Sequence, residues 1–568
     1  MKKTFILVGL LPMIMNAQSF TELPSILHSL YYSNSCVADI DNDGVMDIVI
    51  NGAQDTNSDD FPETTYSQAY LLKNGQFTAS HTLNNGGTHS GPIKVFDFNN
   101  DGLKDIVTVG LNYDYGTKHY RYINTGNGFN SVFDDQGKIS GDMDVFDFNH
   151  DGLLDYAISG IESSSDPKQV LHYQNSSSGF QLTSNLLSDG TIYGNFKVVD
   201  INNDKELDLI IIGMDDSDQP VCKTYLNNNG VLTLHEVYIG IVGKIDVADF
   251  NNDGFMDFAG IGDDGLEDYF SYFINDGQGN FTQTEIPGAG LSNPSIHCAD
   301  FNNDGYPDII TIGARNYEPI TEVYYYHPTQ NTFVKDQNTG LIPIDGPGFI
   351  NSLDMDGDND LDIVMTGFDW NGSGKLLSKL YQNNQTTINH PPTPPTQLSS
   401  TISGNRVEFN WSGATDDKTA AEGLSYEIRI GTSPGAVDIA NYEVKTPSWY
   451  IDFASIPSNI YWSVRSIDAS RVKSIYSSEH ETLSVNEAHK KTANIVIYPN
   501  PTDDVFHIST HKENIEKIEI YSAGGALVKV LGGKAKEYTV SDLLSGTYIV
   551  KIKLSDADKF IIQKLIKK

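Results

Sequence analysis

The chain has 568 residues, with 75 acidic against 37 basic side chains and a formal charge of −38. A length of this order implies several domains, and so negative a chain excludes nucleic acid as a default partner, because phosphate is held by lysine and arginine. Three cysteines, Cys36, Cys222 and Cys298, are too few and too scattered for a disulfide framework and read as small buried hydrophobes.

The first twenty residues, MKKTFILVGLLPMIMNAQSF, hold two lysines, an apolar run too short to span a bilayer, and Asn16-Ala17 ahead of Gln18. That is the build of a secretory signal over 1–17, cut after Ala17, although Met15 stands where a small residue is usual. No cysteine follows the cut, so a lipid anchor is not expected there. No later apolar run reaches transmembrane length.

From Cys36 the stretch CVADIDNDGVMDIVINGA begins a pattern that recurs six more times. The first aspartates of the copies are Asp39, Asp97, Asp147, Asp200, Asp249, Asp300 and Asp354, a period of roughly 50 residues, in the range of solenoids, propellers and arrays. Oxygen-bearing side chains occupy positions 1, 3, 5 and 9 of each nine-residue loop. They are Asp39, Asp41, Asp43 and Asp47; Asp97, Asn99, Asp101 and Asp105; Asp147, Asn149, Asp151 and Asp155; and Asp200, Asn202, Asp204 and Asp208. The last three sets are Asp249, Asn251, Asp253 and Asp257; Asp300, Asn302, Asp304 and Asp308; and Asp354, Asp356, Asp358 and Asp362.

A hard cation such as calcium takes six to eight oxygens, which a tight loop supplies from alternate residues and a backbone carbonyl. The carbonyl position here holds Val45, Leu103, Leu153, Glu206, Phe255, Tyr306 and Asp360. Asp, Asn and Gly also favour plain turns, but seven copies at one spacing favour up to seven calcium ions. An EF-hand is the wrong reading, since it needs Glu at position 12 and flanking helices; here Asp at position 9 runs straight into β-rich sequence such as IVTVG. Twenty-three aspartates at positions 1, 3, 5 and 9 make the acidity largely a ligand supply. Position 6 is Gly except for Lys205 in the fourth loop and Asn359 in the seventh. Lys205 makes the fourth site the weakest expected, because a left-handed turn costs a side chain about 1–2 kcal/mol.

After each loop comes a strand ending near Gly, a variable loop, an aromatic strand, and a turn leading to Phe, as in HYRYINTGNGFN and SYFINDGQGNFTQ. Four short strands per copy predict the blades of an all-β, seven-bladed propeller. The seventh copy lacks the strand with Phe, and the mature N-terminus, Phe20 to Leu27, is expected to supply it and close the ring.

The loop D-x-[DN]-x-D-G-x-x-D followed by β-branched residues and Gly resembles the FG-GAP/VCBS repeat of integrin-α-like propellers, over residues 18–388. The resemblance implies that the acidic loops join the first two strands of each blade on a lower face, and that ligands meet the opposite face. Candidate contacts there are Tyr113, Asp114 and Tyr115, Arg315 with Tyr317, and Asp369 with Trp370, residue types typical of binding hot spots.

From Pro391 the composition changes. PPTPP is a stiff linker, and alternation at Val407, Phe409 and Trp411 and at Tyr426, Ile428 and Ile430 predicts a β-sandwich. Residues 391–484 resemble a fibronectin type III domain, with Trp462 where that family usually has Tyr. The last segment, 493–568, alternates as a further small β-sandwich. Tyr498-Pro499-Asn500-Pro501-Thr502, Gly524-Gly525, Leu543 to Gly546, Tyr548 and a lysine-rich end resemble the C-terminal sorting domain of the type IX secretion system. That resemblance implies the type IX machinery as partner and a secreted or cell-surface location.

The function expected is a calcium-binding, non-enzymatic adhesin or scaffold for an extracellular glycan or protein. The alternative is a propeller-based polysaccharide lyase or glycoside hydrolase, for which His89, His119 and Arg121 are candidate groups.

Overall fold

The computed structural model describes residues 20–568 except 57–63, 84–86, 113–115, 136–137, 139–140, 163–165, 370–374, 484–495, 510–514, 534, 536 and 555–559. The signal segment, Tyr113, Asp114, Tyr115 and Trp370 lie outside the described residues. Every regular element among the described residues is a β-strand. The chain divides into two compact units, Met1–Ser455 with Asn459–Thr482, and Ile456–Ser458 with Leu483–Lys568.

The first unit opens with seven four-stranded antiparallel sheets. The second sheet is typical: Ile93–Phe96, Asp105–Leu111, Thr117–Asn124 and Phe129–Asp135 pair in order, and the acidic loop joins the first two. First strands of successive sheets touch, and Tyr31–Ala38 of the first sheet touches Ile350–Leu353 of the seventh, so the set is a closed, propeller-like ring. Second strands such as DIVTVGL are buried almost throughout. They read as continuous apolar runs because neighbouring sheets cover both their faces. The cores accordingly lie between sheets: Phe96, Val107 and Val109 of one pack with Met143, Tyr156 and Ile158 of the next.

The seventh sheet is closed by the N-terminus. Phe20–Leu23 pairs antiparallel with Lys375–Asn383, in register from Phe20↔Asn383 to Leu23↔Leu380. The strand is shorter than the expected Phe20 to Leu27, because Pro24 has no N–H for the ladder. Leu27 instead enters the core beside Leu30, Phe349 and Leu380.

A sandwich completes this unit. Gln397–Ser403, Arg406–Ser412 and Ser448–Asp452 form one sheet. Ala440–Val444, Ser425–Gly431, Asn459–Ile467 and His480–Leu483 form the other. Val407, Phe409, Trp411, Tyr426, Ile428 and Ile430 are all buried, as the alternation requires. Trp462 is fully buried, and its indole N–H donates to Thr482 Oγ1 at 3.2 Å.

The second unit also has two sheets, of three and four strands, around Ile497, Phe506, Ile518, Ile520, Val550, Ile552 and Leu565. Its Tyr498–Thr502 motif is tied to the closing strand Phe560–Lys567. Asn500 Oδ1 accepts the Ile566 N–H at 2.8 Å, its Nδ2 donates to the Lys564 carbonyl at 2.6 Å, and the Thr502 N–H donates to the Ile566 carbonyl at 2.8 Å.

Candidate metal centres and the faces around them

The acidic loops share one internal bonding scheme, clearest in the second. The Asp101 and Gly102 N–H groups donate to Asp97 Oδ1 and Oδ2 at 3.2 and 2.8 Å, and the Leu103 N–H donates to Asp101 Oδ1 at 2.8 Å. Asn99 Oδ1 also accepts the Asp101 N–H, and the asparagines at position 3 of loops 3 to 6 do the same. Position 6 needs a left-handed turn: Gly102 has φ +87° and Gly305 +93°, and Lys205 and Asn359 keep it at +74° and +67°. Position 4 is left-handed too, with Asn42, Asn100, His150, Asn203, Asn252 and Asn303 between +54° and +58°. Asn tolerates that region better than most residues.

The aspartate at position 9 is completely buried and fastens the loop to its sheet. Asp105 accepts the Phe98 N–H at 3.3 Å and the Asn124 N–H at 2.8 Å. Asp47, Asp208, Asp257, Asp308 and Asp362 bridge the matching backbone groups. Asp155 differs, with Oδ1 on the Asn175 N–H and Oδ2 3.1 Å from His172 Nε2.

The convergent donors are those a hard cation takes. Carboxylate oxygens of Asp39, Asp41 and Asp43 lie within 4.8 Å of one another, as do those of Asp354, Asp356 and Asp362. Loops 2 to 6 offer an asparagine oxygen at position 3 instead. Burial, reinforced by neighbouring carboxylates, pushes Asp47 up to about 6 and Asp105, Asp208 and Asp362 up to about 7. Such a set is relieved by added positive charge. In loop 1 some is already there: Lys73 Nζ is 2.6 Å from Asp41 Oδ2 and also contacts Asp43.

The sandwich lies against this loop face. Tyr442 OH donates to Asp147 Oδ2 at 2.8 Å, Lys445 Nζ is 3.0 Å from Asp249 Oδ2, and Ser470 OH donates to Asp300 Oδ2 at 3.1 Å. The Lys205 ammonium turns away from its loop to Glu408, at 2.6 Å. The Glu206 side chain accepts from Tyr450 OH, and the His150 ring stacks on Tyr450 at 4.0 Å.

Two sets of asparagines escaped the sequence reading. Asn124 Nδ2 donates to the Ile40 carbonyl of the preceding sheet at 3.1 Å, and Asn175, Asn275 and Asn383 make the same bond to Phe98, Ile201 and Phe301. At position 4, Asn42, Asn100, Asn203 and Asn252 reach the carbonyl of position 6 in the following loop. The strand-end asparagine does recur in the sequence, but nothing local says that its partner is a neighbouring sheet.

On the opposite rim, Tyr317 is 96% exposed with φ +67°. Arg315 is held by a two-pronged pair with Glu322, at 2.7 and 2.9 Å, and Asp369 is half-buried opposite Lys375. Two further aromatics, Tyr32 and Tyr193, are half-exposed there in left-handed conformations, at +49° and +57°. The groups considered for catalysis are built into the framework. His119 is fully buried with Nε2 3.0 Å from Tyr156 OH, Arg121 pairs with Asp134, and His89 bonds Ser90 and the Leu111 backbone. The cysteines are free thiols, and burial pushes Cys222 up to about 12.

Comparison with protein-family models matches residues 496–568 to the secretion system C-terminal sorting domain and residues 249–311 to the FG-GAP-like repeat. The chain carries an FG-GAP-like repeat and a C-terminal sorting tail. That tail marks proteins exported by the type IX system to the cell surface or the extracellular space, and no helix among the described residues is long and apolar enough to cross a membrane. No curated protein matches the chain by sequence. Solved structures similar to it include a protein from Lactobacillus plantarum, 13% identical, covering 60% of this chain and 96% of its own at a TM-score of 0.36. The exotype rhamnogalacturonan lyase YesX is 12% identical, covering 71% and 76% at 0.34. AofleA from Arthrobotrys oligospora is 10% identical, covering 57% and 92% at 0.35.

Proposed function

We propose that this exported protein is a calcium-loaded, non-enzymatic scaffold that binds an extracellular glycan or protein through the rim opposite its acidic loops. The observation that carries the reading is the sandwich seated on the loop face, which leaves the other rim for a ligand. Calcium would be held by the oxygens at positions 1, 3, 5 and 9 and a carbonyl near position 7. It would neutralise carboxylates that the fold buries side by side. The fourth loop would hold it least well, since Lys205 replaces the glycine. On the open rim Tyr32, Tyr193 and Tyr317 are the contacts we favour, because aromatic rings stack on sugars and anchor protein partners. A lyase or hydrolase reading finds no support in His119 and Arg121, whose polar groups the framework already engages.

We read residues 18–388 as a seven-bladed FG-GAP/VCBS propeller and 391–484 as a fibronectin type III-like domain, on the strength of the closed ring and the three- and four-stranded sheets. The test is a polysaccharide and glycoprotein panel probed with the mature protein, scoring binding together with new reducing or unsaturated ends. Binding without cleavage, weakened at least tenfold by Tyr32→Ala or Tyr193→Ala, is expected. Product formation would overturn the non-enzymatic reading.

A further inference from the structure

Beside loops 6 and 7, three chain segments meet where the ring passes into the sandwich. Asn389 comes from the linker, Asp416 from the loop after Arg406–Ser412, and Asp468 from the end of Asn459–Ile467. Asn389 and Asp468 are only 2% and 4% exposed. Asn389 Nδ2 lies 2.9 Å from Asp468 Oδ2, while Asp468 Oδ1 accepts the Val472 N–H at 2.8 Å. Asp416 Oδ2 accepts the N–H groups of Lys418 and Thr419 at 2.9 and 2.8 Å. Thr419 Oγ1 in turn accepts the Ala469 N–H at 3.1 Å, which sets this turn beside Asp468.

Two oxygens are left over. Asn389 Oδ1 and Asp416 Oδ1 are both shut off from solvent, and neither has a hydrogen-bond partner. A buried acceptor without a donor costs about 1–3 kcal/mol, and a buried carboxylate without a counter-charge costs more. The nearby Arg471 directs its guanidinium to Glu443 instead. Asp416 also holds the Asp468 carboxyl above its usual range, after the larger effect of burial itself. One proton on either carboxyl would leave the other carboxyl charged beside it. A divalent cation could draw on both free oxygens beside Asp468, and oxygen ligands from side chains and water are what calcium takes.

We propose that Asn389, Asp416 and Asp468 form a separate site for a calcium-class divalent cation at the junction of ring and sandwich. It would fix the linker against the sandwich with ligands that belong to none of the seven loops.

The test counts calcium bound per chain by equilibrium dialysis of the full mature protein, the Asp416→Asn and Asp468→Asn variants, and Asp417→Asn as an exposed neighbouring control. The expected result is one ion fewer than the parent in each of the first two variants and an unchanged count in the control. Because Asp416 is only partly buried, D416N keeps the test decisive should D468N fail to fold. A parental count in a folded D416N variant would overturn the site. So would a parent that binds no calcium, and so would an equal loss in the control.

Discussion

Loops 1 and 3, DIDNDGVMD and DFNHDGLLD, share the spacing of their oxygen-bearing side chains and end in opposite surroundings. In loop 1 Asp41, Asn42, Asp43 and Gly44 are exposed, and the charge that reaches in is the flexible ammonium of Lys73. In loop 3 Asp147, His150 and Gly152 are buried beneath the sandwich, with Tyr442 bonded to Asp147 and Tyr450 stacked on His150. One spacing of acidic residues thus stands open in loop 1 and forms part of an interface in loop 3. Desolvation should make the covered carboxylates depend more on a cation, and the sandwich should slow that cation's exit.

The largest effect should come from removing the outer strand of the seventh sheet, whose Phe20 packs toward the sixth sheet and whose following Leu27 packs toward the first. Deleting Phe20 to Leu27 removes a whole strand and the buried side chains of Phe20 and Leu27. Core truncations of that size cost about 2–5 kcal/mol each, so cooperative melting should be lost or move down by well over 10 °C, on the basis that about 1 kcal/mol shifts a domain by several degrees. Parental melting would refute closure by this strand.

A pH series without calcium comes next. Asp47, Asp105, Asp208 and Asp362 have folded-state values raised to about 6 to 7, against about 3.9 for an unfolded aspartate. Between those values the folded chain binds more protons than the unfolded one, so stability must fall as pH rises from about 4 to 7. In chelator the melting temperature should drop over that window, and saturating calcium should flatten the drop by holding the groups ionised. A rise in melting temperature with pH in chelator would contradict the sign.

Single substitutions separate the two kinds of loop. Tyr442→Phe removes a hydrogen bond to the buried Asp147, and bonds to charged groups contribute about 1.5–3 kcal/mol. A loss of about that size is expected in thermal or denaturant melts. Lys73→Met should leave stability within about 0.5 kcal/mol, the usual range for a surface change, while tightening calcium at loop 1 several-fold in a titration. Equal effects of the two changes on stability would erase the contrast. The smallest change expected is from Lys205→Gly. It relieves a left-handed side chain but loses a part-buried pair with Glu408, so calcium binding at the fourth loop should strengthen with little change in melting.

Much of this was legible because it is local. The seven loops, the left-handed turn at position 6, and the alternation at Val407, Phe409 and Trp411 all follow from spacing within a few residues. Closure by Phe20 could be read because the seventh copy visibly lacks a strand. The seating of the sandwich on the loops was not legible. Tyr442 and Asp147 lie 295 residues apart, and neither carries a sign of the other. The position-9 aspartates were read as ligands alone, although their backbone bonds make them fasteners of the sheet as well. Tyr32 and Tyr193 went unnoticed because a left-handed tyrosine is a product of the ring's geometry, with no mark in composition.

The central claim is that the acidic loops hold calcium and that the fold depends on it. The direct measurement is the melting curve of the mature protein in millimolar calcium and in excess chelator, with metal removal confirmed by elemental analysis. A ligand that binds only the folded state stabilises it by about 2.7 kcal/mol per site at a hundredfold excess over its Kd. The account predicts a melting temperature many degrees higher in calcium, whereas superimposable curves from the metal-free and calcium-loaded protein would contradict it.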